Sequence, residues 1–478
     1  MCNSPHIISI HILDDNSLLN VFNFYRPFLL GEDENDNFRL MGGRGGWVRG
    51  RWWYRLAHVC QRWRNLIFGS SISLGLSLIC TNGTPVAEML AHSTPLPLDI
   101  DYSNEYQEIT AEDEKGAILA LSQRDRVRRV RLDMPVTSLQ RFVEAIHEQY
   151  PNLEYLVIMH RNEDNSMAMT LPETLQAPLL RHLALIGFTL PIRSPLMMMA
   201  GSLVTLGLAV NHPSTYFHPS TLRHWLSFMP QLETLMIVFT FPIPSRDIQT
   251  PLTPHTPVTL PNLRHFRFQG VSTYLEALIH SITTPPHLQK LQIRFFNQLT
   301  FSVPCLLQFM NITESLGFDS AGLEFSAGRV CMEVCPRGEA ETHALSITVI
   351  SSHLDWQVSA VAQISSSLRQ KFSAVENLTL EHEVHNLSSE EHNNVNRTEW
   401  RKLLSSFSEV NTLRVDNGLV EQLSQCLQAD DGETPLEPLP QLRDLTYLGS
   451  GNTGDAFTAF IDARQNAGHP VALSRARR

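Results

Sequence analysis

Cysteine is scarce and unpaired in this chain. Cys2, Cys60, Cys80, Cys305, Cys331, Cys335 and Cys426 are scattered over 478 positions, with no CxxC knuckle and no ladder of spacings. That excludes a disulfide scaffold or a zinc ribbon as the organising principle, and most of these residues are expected as buried free thiols. Charge is also thin, at 18% of residues, and biased to acid: 37 Lys+Arg stand against 48 Asp+Glu, for a net charge of -11. Such a balance disfavours a general electrostatic grip on nucleic acid or on an anionic membrane. No basic leader precedes the first apolar residues, and Asp14 and Asp15 arrive too early for a secretory signal. A reducing compartment, cytoplasm or nucleus, is therefore expected, and the Asn-x-Ser/Thr triplets at Asn82, Asn311, Asn377, Asn386 and Asn396 read as chance. The longest apolar run, Pro195 to Val210, is interrupted by Gly201, Ser202, Thr205 and Gly207. It falls short of the roughly 20 residues a membrane-spanning helix needs.

Signatures of catalysis are missing too. There is no P-loop, no GxSxG elbow and no kinase motif, and no Ser-His-Asp set can be assembled. Gly449-Ser-Gly-Asn-Thr-Gly454 fits GxGxxG, but too little chain follows it to complete a βαβ unit, and Asp455 would place a negative charge against a pyrophosphate. It reads as a glycine-rich turn into a last helix, Ala456 to Arg464. His382-Glu-Val-His385 has the wrong spacing for a zinc-protease helix and reads as a polar loop. Cys331 and Cys335 would share a helix face, yet no second ligand pair lies nearby. No enzyme activity, cofactor or metal site is expected.

What the chain does contain is hydrophobic residues, 43%, arranged in a recurring unit. Leu153-Glu-Tyr-Leu156-Val-Ile158 returns at Leu180–Leu185, Leu203–Leu208, Leu232–Ile237, Leu263–Phe268, Leu288–Ile293, Val375–Leu380, Val410–Val415 and Leu442–Tyr447, with Val127–Leu132 as a first copy. An apolar-x-x-apolar-x-apolar pattern alone is common in an aliphatic-rich chain. Chance does not explain the proline two residues ahead of the first apolar position, at Pro151, Pro178, Pro230, Pro261, Pro286 and Pro440, when proline is 28 of 478 residues. From Val127 to Leu288 successive copies start 23 to 31 residues apart, close to the period of a leucine-rich repeat. The stretch from Leu288 to Val375 would hold about three degenerate units.

Within each copy the fourth and sixth positions alternate with polar residues, predicting a short strand with one buried face. Helical stretches should lie between strands. The clearest is Leu139 to Gln149, with Leu139, Phe142, Val143 and Ile146 on one face and Thr137 with Gln140 resembling a capping box. A single repeat cannot bury its own apolar edge, so the expectation is an irregular α/β solenoid with a parallel sheet and a broad binding surface.

Ahead of the repeats, Asp15 to Tyr25 sets Leu18, Leu19, Val21, Phe22 and Tyr25 at helical spacing, with Asp14 or Asp15 as N-cap. From Trp53 to Ile67 a second amphipathic pattern aligns Leu56, Val59, Cys60, Trp63 and Ile67. Leu56-Ala-His-Val-Cys-Gln-Arg-Trp-Arg-Asn-Leu-Ile67 resembles the second half of an F-box and Ile12 to Phe22 its first. With Leu74 to Pro85 and the repeats, the chain is similar to the F-box proteins with leucine-rich repeats of mushroom-forming (basidiomycete) fungi. The likeness is specific over about sixty residues and loose elsewhere. It departs from the pattern where Leu13-Asp14 replaces the opening leucine-proline pair and where Leu30 to Gly50 is inserted.

The resemblance implies that the helices dock on a Skp-type adaptor of a cullin-RING ubiquitin ligase through Leu18, Leu19, Phe22, Leu56, Val59, Cys60 and Trp63. The alternative is that the same residues only cap the end of a solenoid. The inserted loop runs from acidic Glu32–Asp36 to Gly42-Gly-Arg-Gly-Gly46, a surface-loop composition in which an RNA contact is the lesser reading. The organisation expected is an F-box-like helical module over 1–73 with the loop at 30–50, a connecting segment and solenoid cap over 74–125, the repeats over 126–470, and a tail over 471–478. On the repeat surface, His265, Arg267, Gln269, Lys290, Gln292 and Arg294 would form a mildly basic patch for an acidic target protein, with plain solvated surface as the alternative. The arginine-rich run Arg124 to Arg131 reads as the wet face of a strand, or else as a phosphate contact. The function this adds up to is substrate recognition for a ligase, or a repeat scaffold with no ubiquitin role.

Overall fold

The computed structural model describes residues 13–25, 52–71, 73–93, 95–103, 109–161, 168–242, 256–283, 285, 287–313, 318–336, 344–382, 395–428, 438–448 and 454–476. The inserted loop 30–50, Cys2, Pro286, His385, Asn386 and most of the 449–454 glycine motif lie outside them. Two compact units are present, Met1–Leu206 and Gly207–Arg478.

Among the described residues of the first unit three short helices come first: Asp15–Tyr25, Trp52–Ala57 and Gln61–Gly69. The single helix expected over Trp53 to Ile67 is therefore two. The break has a local cause, since Cys60 is extended (φ -159°) and its Sγ accepts from the Trp63 amide at 3.5 Å, starting a new helix. Parallel strands follow at Leu78–Cys80, Leu98–Tyr102, Val127–Pro135, Tyr155–Arg161 and His182–Ile186, each paired with the next. The sheet thus begins inside 74–125, the span expected as a connecting segment and solenoid cap. Leu98–Tyr102 is buried throughout, and its two interior carboxylates, Asp99 and Asp101, hide it from a search for leucine spacing.

The second unit orders its strands Thr234–Phe239, His265–Gly270, Lys290–Phe296, Leu345–Ile350, Arg329–Cys335, Ser320–Ser326, Asn377–His382, Thr412–Asp416, Asp444–Leu448 and Ala472–Ala476. The described registers are parallel except at Arg329–Cys335, which runs antiparallel to both neighbours. The stretch between Leu288 and Val375 therefore holds no row of degenerate repeats. Its helix Pro304–Ile312 leads to a hairpin, Ser320–Ser326 with Arg329–Cys335, and Leu345–Ile350 then pairs back beside Lys290–Phe296. The tail expected over 471–478 contributes the last strand, Ala472–Ala476, parallel to Asp444–Leu448.

The recurring proline has a physical explanation in both units. The amides of Leu153, Leu180, Leu232, Leu263 and Leu442 each donate to the carbonyl three residues earlier, at 3.1 to 3.4 Å for Leu153 with Tyr150, Leu180 with Ala177, Leu232 with Met229, Leu263 with Leu260 and Leu442 with Leu439. Proline thus occupies the second position of a four-residue turn, where its fixed φ is already correct. Leu203, Val375 and Val410 close the same turn without proline. The leucine each turn delivers is buried, from 0% exposure at Leu153, Leu232 and Leu263 to 2% at Leu442. Around Tyr274, which is fully buried and donates its hydroxyl to the Phe217 carbonyl at 3.1 Å, Phe217, Phe239 and Phe268 gather into an aromatic cluster.

Candidate functional site

The helical module closes on itself. Asp14 rather than Asp15 caps the first helix, accepting from the Ser17 amide at 2.8 Å, and the Ser17 bonds hold its carboxyl below the usual range. Asp15 is taken by Arg62, which also donates to the Leu13 carbonyl, both at 2.7 Å. Leu18, Phe22 and Ile67 are fully buried, and the Phe22 and Trp63 rings meet edge-on at 4.9 Å. Of the residues expected to face an adaptor, Leu18, Phe22, Leu56 and Trp63 thus form the module's own interior. Leu19 and Cys60 are half-buried. Val59 leaves the stripe altogether: it sits in the turn between helices, 56% exposed. Phe24 and Tyr25 are open at the end of the first helix, 83% and 68% exposed, a pair the periodicity hides because one belongs to the apolar face and the other does not.

On the sheet of the first unit a polar row crosses the strands. Ser77 donates to Asp99 at 2.7 Å, Arg129 stands opposite Asp99 in register with its guanidinium 5.3 Å from the Tyr155 ring, Tyr155 lies 5.8 Å from His182, and His182 Nδ1 is 3.1 Å from the Thr205 hydroxyl. One position along, Asp101 pairs in register with Arg131. Burial pushes both carboxyls up, against the pull of Ser77 on Asp99 and of Ser103 on Asp101. Beyond the row the same sheet turns apolar, with Val157, Met159 and Ala184 buried in a cluster flanked by Tyr155 and Ile186.

The arginine-rich run feeds this arrangement and does not form an open basic stripe. Arg128 pairs with Glu154 at 2.9 Å, Arg124 pairs with Glu148, Arg126 donates to the Leu96 carbonyl at 3.0 Å, and Arg131 is 6% exposed. Arg124, Arg126, Arg128 and Arg129 are all half-buried, and Arg124 and Arg126 precede strand Val127–Pro135, so only Arg128 and Arg129 stand half-open on the strand itself.

In the second unit His265, Arg267 and Gln269 alternate with buried Phe266 and Phe268, and their register partners are Lys290, Gln292 and Arg294. The fold does bring these six together on one face, half-buried. Arg267 is pushed down to about 10 by burial and by the charge of Arg294. The inserted hairpin adds residues that the repeat pattern does not flag. Glu333 and Cys331 face Ser346 and Thr348, and Glu324 stands in register with Glu381. Cys331 and Cys335 lie on a strand, not a helix, and burial pushes both thiols up. None of the six described cysteines is in a disulfide, but only Cys80 and Cys426 are fully buried; Cys60, Cys305, Cys331 and Cys335 are half-buried. Asn396, met above as a triplet of no significance, caps helix Arg397–Leu404 through the Thr398 amide at 3.0 Å.

Among the described residues no group of three or more His, Cys, Asp or Glu is placed to hold a metal ion, and no helix is long and apolar enough to cross a membrane. The described residues thus offer surfaces: an apolar turn and helix end on the module, and mixed polar and charged faces on the sheets.

No family model matches this chain, and no curated protein matches it. Among solved structures it is similar to the leucine-rich repeat-containing protein LegL7 from Legionella pneumophila, at 11% identity, over 83% of this chain and 99% of that one, with a TM-score of 0.26. It is also similar to a chain of the Rad7 and Elc1 complex in yeast, at 14% identity, over 91% and 88% of the two chains, with a TM-score of 0.29. Overlaps this loose carry no argument of their own, and the repeat architecture rests on the turns and registers described above.

Proposed function

We propose that this chain is the substrate-recognition subunit of a ubiquitin ligase of the Skp/cullin/F-box type, working in a reducing compartment and performing no chemistry itself. Its helical module attaches to a Skp-type adaptor while a sheet face holds a target protein near the ligase, so the contribution is proximity. The observation that supports this most is the three-helix module, Asp15–Gly69, closed on Leu18, Phe22, Leu56 and Trp63 and followed at once by parallel repeat strands. A self-contained knot of helices with apolar side chains left outside suits a docking element. The buried four hold its shape; Val59, with the half-buried Leu19 and Cys60, is where a partner can reach it. On the sheet, His265, Arg267, Lys290 and Arg294 are the target-facing candidates.

The test is capture of a purified Skp-type adaptor by the full chain and by a Val59→Asp variant. Because Val59 is more than half exposed, the variant keeps its fold, and circular dichroism on the same samples checks this. The expected result is retention by the intact chain and at least tenfold weaker retention by the variant. No retention by the intact chain, or equal retention by both, would leave the alternative of a repeat scaffold without a ubiquitin role.

A further inference from the structure

A tetrapeptide occurs twice in quick succession in the second unit, as His212-Pro-Ser-Thr215 and His218-Pro-Ser-Thr221. The fold uses both copies in the same way. His212 Nδ1 accepts from the Ser214 amide at 3.2 Å and lies 2.6 Å from the Ser214 hydroxyl, starting the 3-10 turn Pro213–Thr215. His218 Nδ1 accepts from the Ser220 amide at 3.2 Å and lies 2.7 Å from the Ser220 hydroxyl, starting helix Pro219–Leu226. The side chains that usually cap a helix, those of Ser, Thr, Asn and Asp, remain acceptors near neutral pH. An imidazole loses its acceptor lone pair when it takes up a proton.

Between the two caps stand Tyr216 and Phe217. Phe217 is 8% exposed, its ring meets those of Trp225, Phe239 and Tyr274 at 5.7, 5.9 and 6.5 Å, and its carbonyl receives the Tyr274 hydroxyl. Tyr216 stands edge-on to Tyr274 at 6.2 Å. Phe239 and Tyr274 in turn touch Phe268, on strand His265–Gly270. The segment is thus part of the wall of the aromatic cluster, and each of its ends is fastened by an imidazole.

Protonation would undo the fastening for two reasons. A fully protonated ring has no lone pair for the serine amide, and at the start of helix Pro219–Leu226 it sets a positive charge against the positive end of the helix dipole. Burial lowers the His218 imidazole below its ordinary value. The unfolded chain therefore binds that proton more tightly than the folded one. The stabilisation is complete above the unfolded value of about 6.5 and is lost as pH falls from there through the lower folded value. Among the described residues, the titratable groups on the elements packed here are Tyr216, Arg223 and His224 on helix Pro219–Leu226, and Tyr274, Glu276 and His280 on helix Ser272–His280; strand Thr234–Phe239 has none. Arg223 donates to the Thr256 carbonyl at 2.8 Å, and the one carboxylate of this set, Glu276, accepts from the Cys305 and Leu306 amides. It is committed elsewhere.

We infer that residues 212–220 form an acid-released latch: protonation of His212 and His218 opens both caps and frees Tyr216 and Phe217 from the aromatic cluster. Release also loosens strand His265–Gly270 from its buried side, because Phe268 packs on the same rings. This device is independent of any role in a ligase.

The experiment is hydrogen exchange on the full chain at about pH 7.5 and about pH 5, corrected for the intrinsic pH dependence of exchange. Protection at the amides of Ser214, Tyr216, Ser220 and Leu222 is expected to fall at least tenfold at the lower pH. His212→Asn with His218→Asn supplies acceptors that do not titrate, and its protection at these amides should change less than about twofold. His212→Ala with His218→Ala should have lost the protection already at the higher pH. Unchanged protection in the natural chain overturns the proposal, and that comparison needs no variant to fold. An equal loss in the Asn variant also overturns it, since His224 and His280 are present there and the capping imidazoles are not. So does full protection in the Ala variant at the higher pH.

Discussion

At the scale of single residues, buried ionisable groups decide more than their number suggests. Asp99 is 7% exposed, and burial raises its carboxyl above the ordinary value despite the Ser77 bond and the charge of Arg129. A carboxyl that holds its proton more tightly folded than unfolded favours the folded state at low pH, and that contribution is lost as pH rises from the unfolded value through the higher folded one. Asp99→Asn should flatten this part of the stability-pH profile, measured by urea denaturation across the acid range; an unchanged slope would show that Asp99 does not titrate in it. Gly270 makes a second prediction. A Cβ there would come within 2.7 Å of the Phe268 ring and 3.0 Å of Phe239, and both rings are locked in the aromatic cluster. Gly270→Ala should cost about 1–3 kcal/mol by overpacking, read as a lowered denaturation midpoint.

Elements show where sequence reading succeeds and where it stops. The leucine positions and their prolines are legible because a local turn fixes them: Met229-Pro230-Gln231-Leu232 closes on its own i to i+3 bond whatever surrounds it. Helix boundaries are less so. Thr137 and Gln140 suggest a capping box, yet the helix is Val136–Ala145 with Pro135 at the cap position and no side-chain cap, because strand Val127–Pro135 runs straight into it. A true capping box forms instead between Thr110 and Asp113. Elsewhere the cap comes from another element, which no local pattern reveals. The Glu276 carboxylate accepts from the Cys305 and Leu306 amides at 2.6 and 3.0 Å, capping helix Pro304–Ile312 from helix Ser272–His280. Glu276→Ala should lower stability by about 1–2 kcal/mol, as loss of a helix cap does, and hydrogen exchange should accelerate first at Cys305 and Leu306.

At the scale of the whole chain, every repeat leans on its neighbours, so the end positions matter most. In the second unit Arg464, 1% exposed, reaches from the last helix to the carbonyls of Leu439, Pro440 and Leu442 at 3.2, 3.3 and 2.9 Å. It holds the final proline turn from outside, and strand Ala472–Ala476 covers the sheet edge beyond. Removing residues 471–478 should bare Asp444–Leu448 as an unpaired edge, a template for association, and light scattering on warming should rise earlier than for the intact chain. An unchanged onset would mean that the last strand protects nothing.

By itself the sequence determined the repeat, its turns, the inward leucines and the amphipathic helices ahead of them, because each depends on spacing within about one repeat and on backbone preferences that hold in any surroundings. Which strand lies beside which was decided only by the tertiary structure. Hydrogen-bond pairing across a sheet joins residues far apart in the chain, so the reversed strand Arg329–Cys335, the early strand with Asp99 and Asp101, and the register that sets Glu324 beside Glu381 carry no local signature. The same holds for exposure: Trp63 and Val59 read alike as parts of one stripe, and only the break at Cys60 turned one inward and the other out.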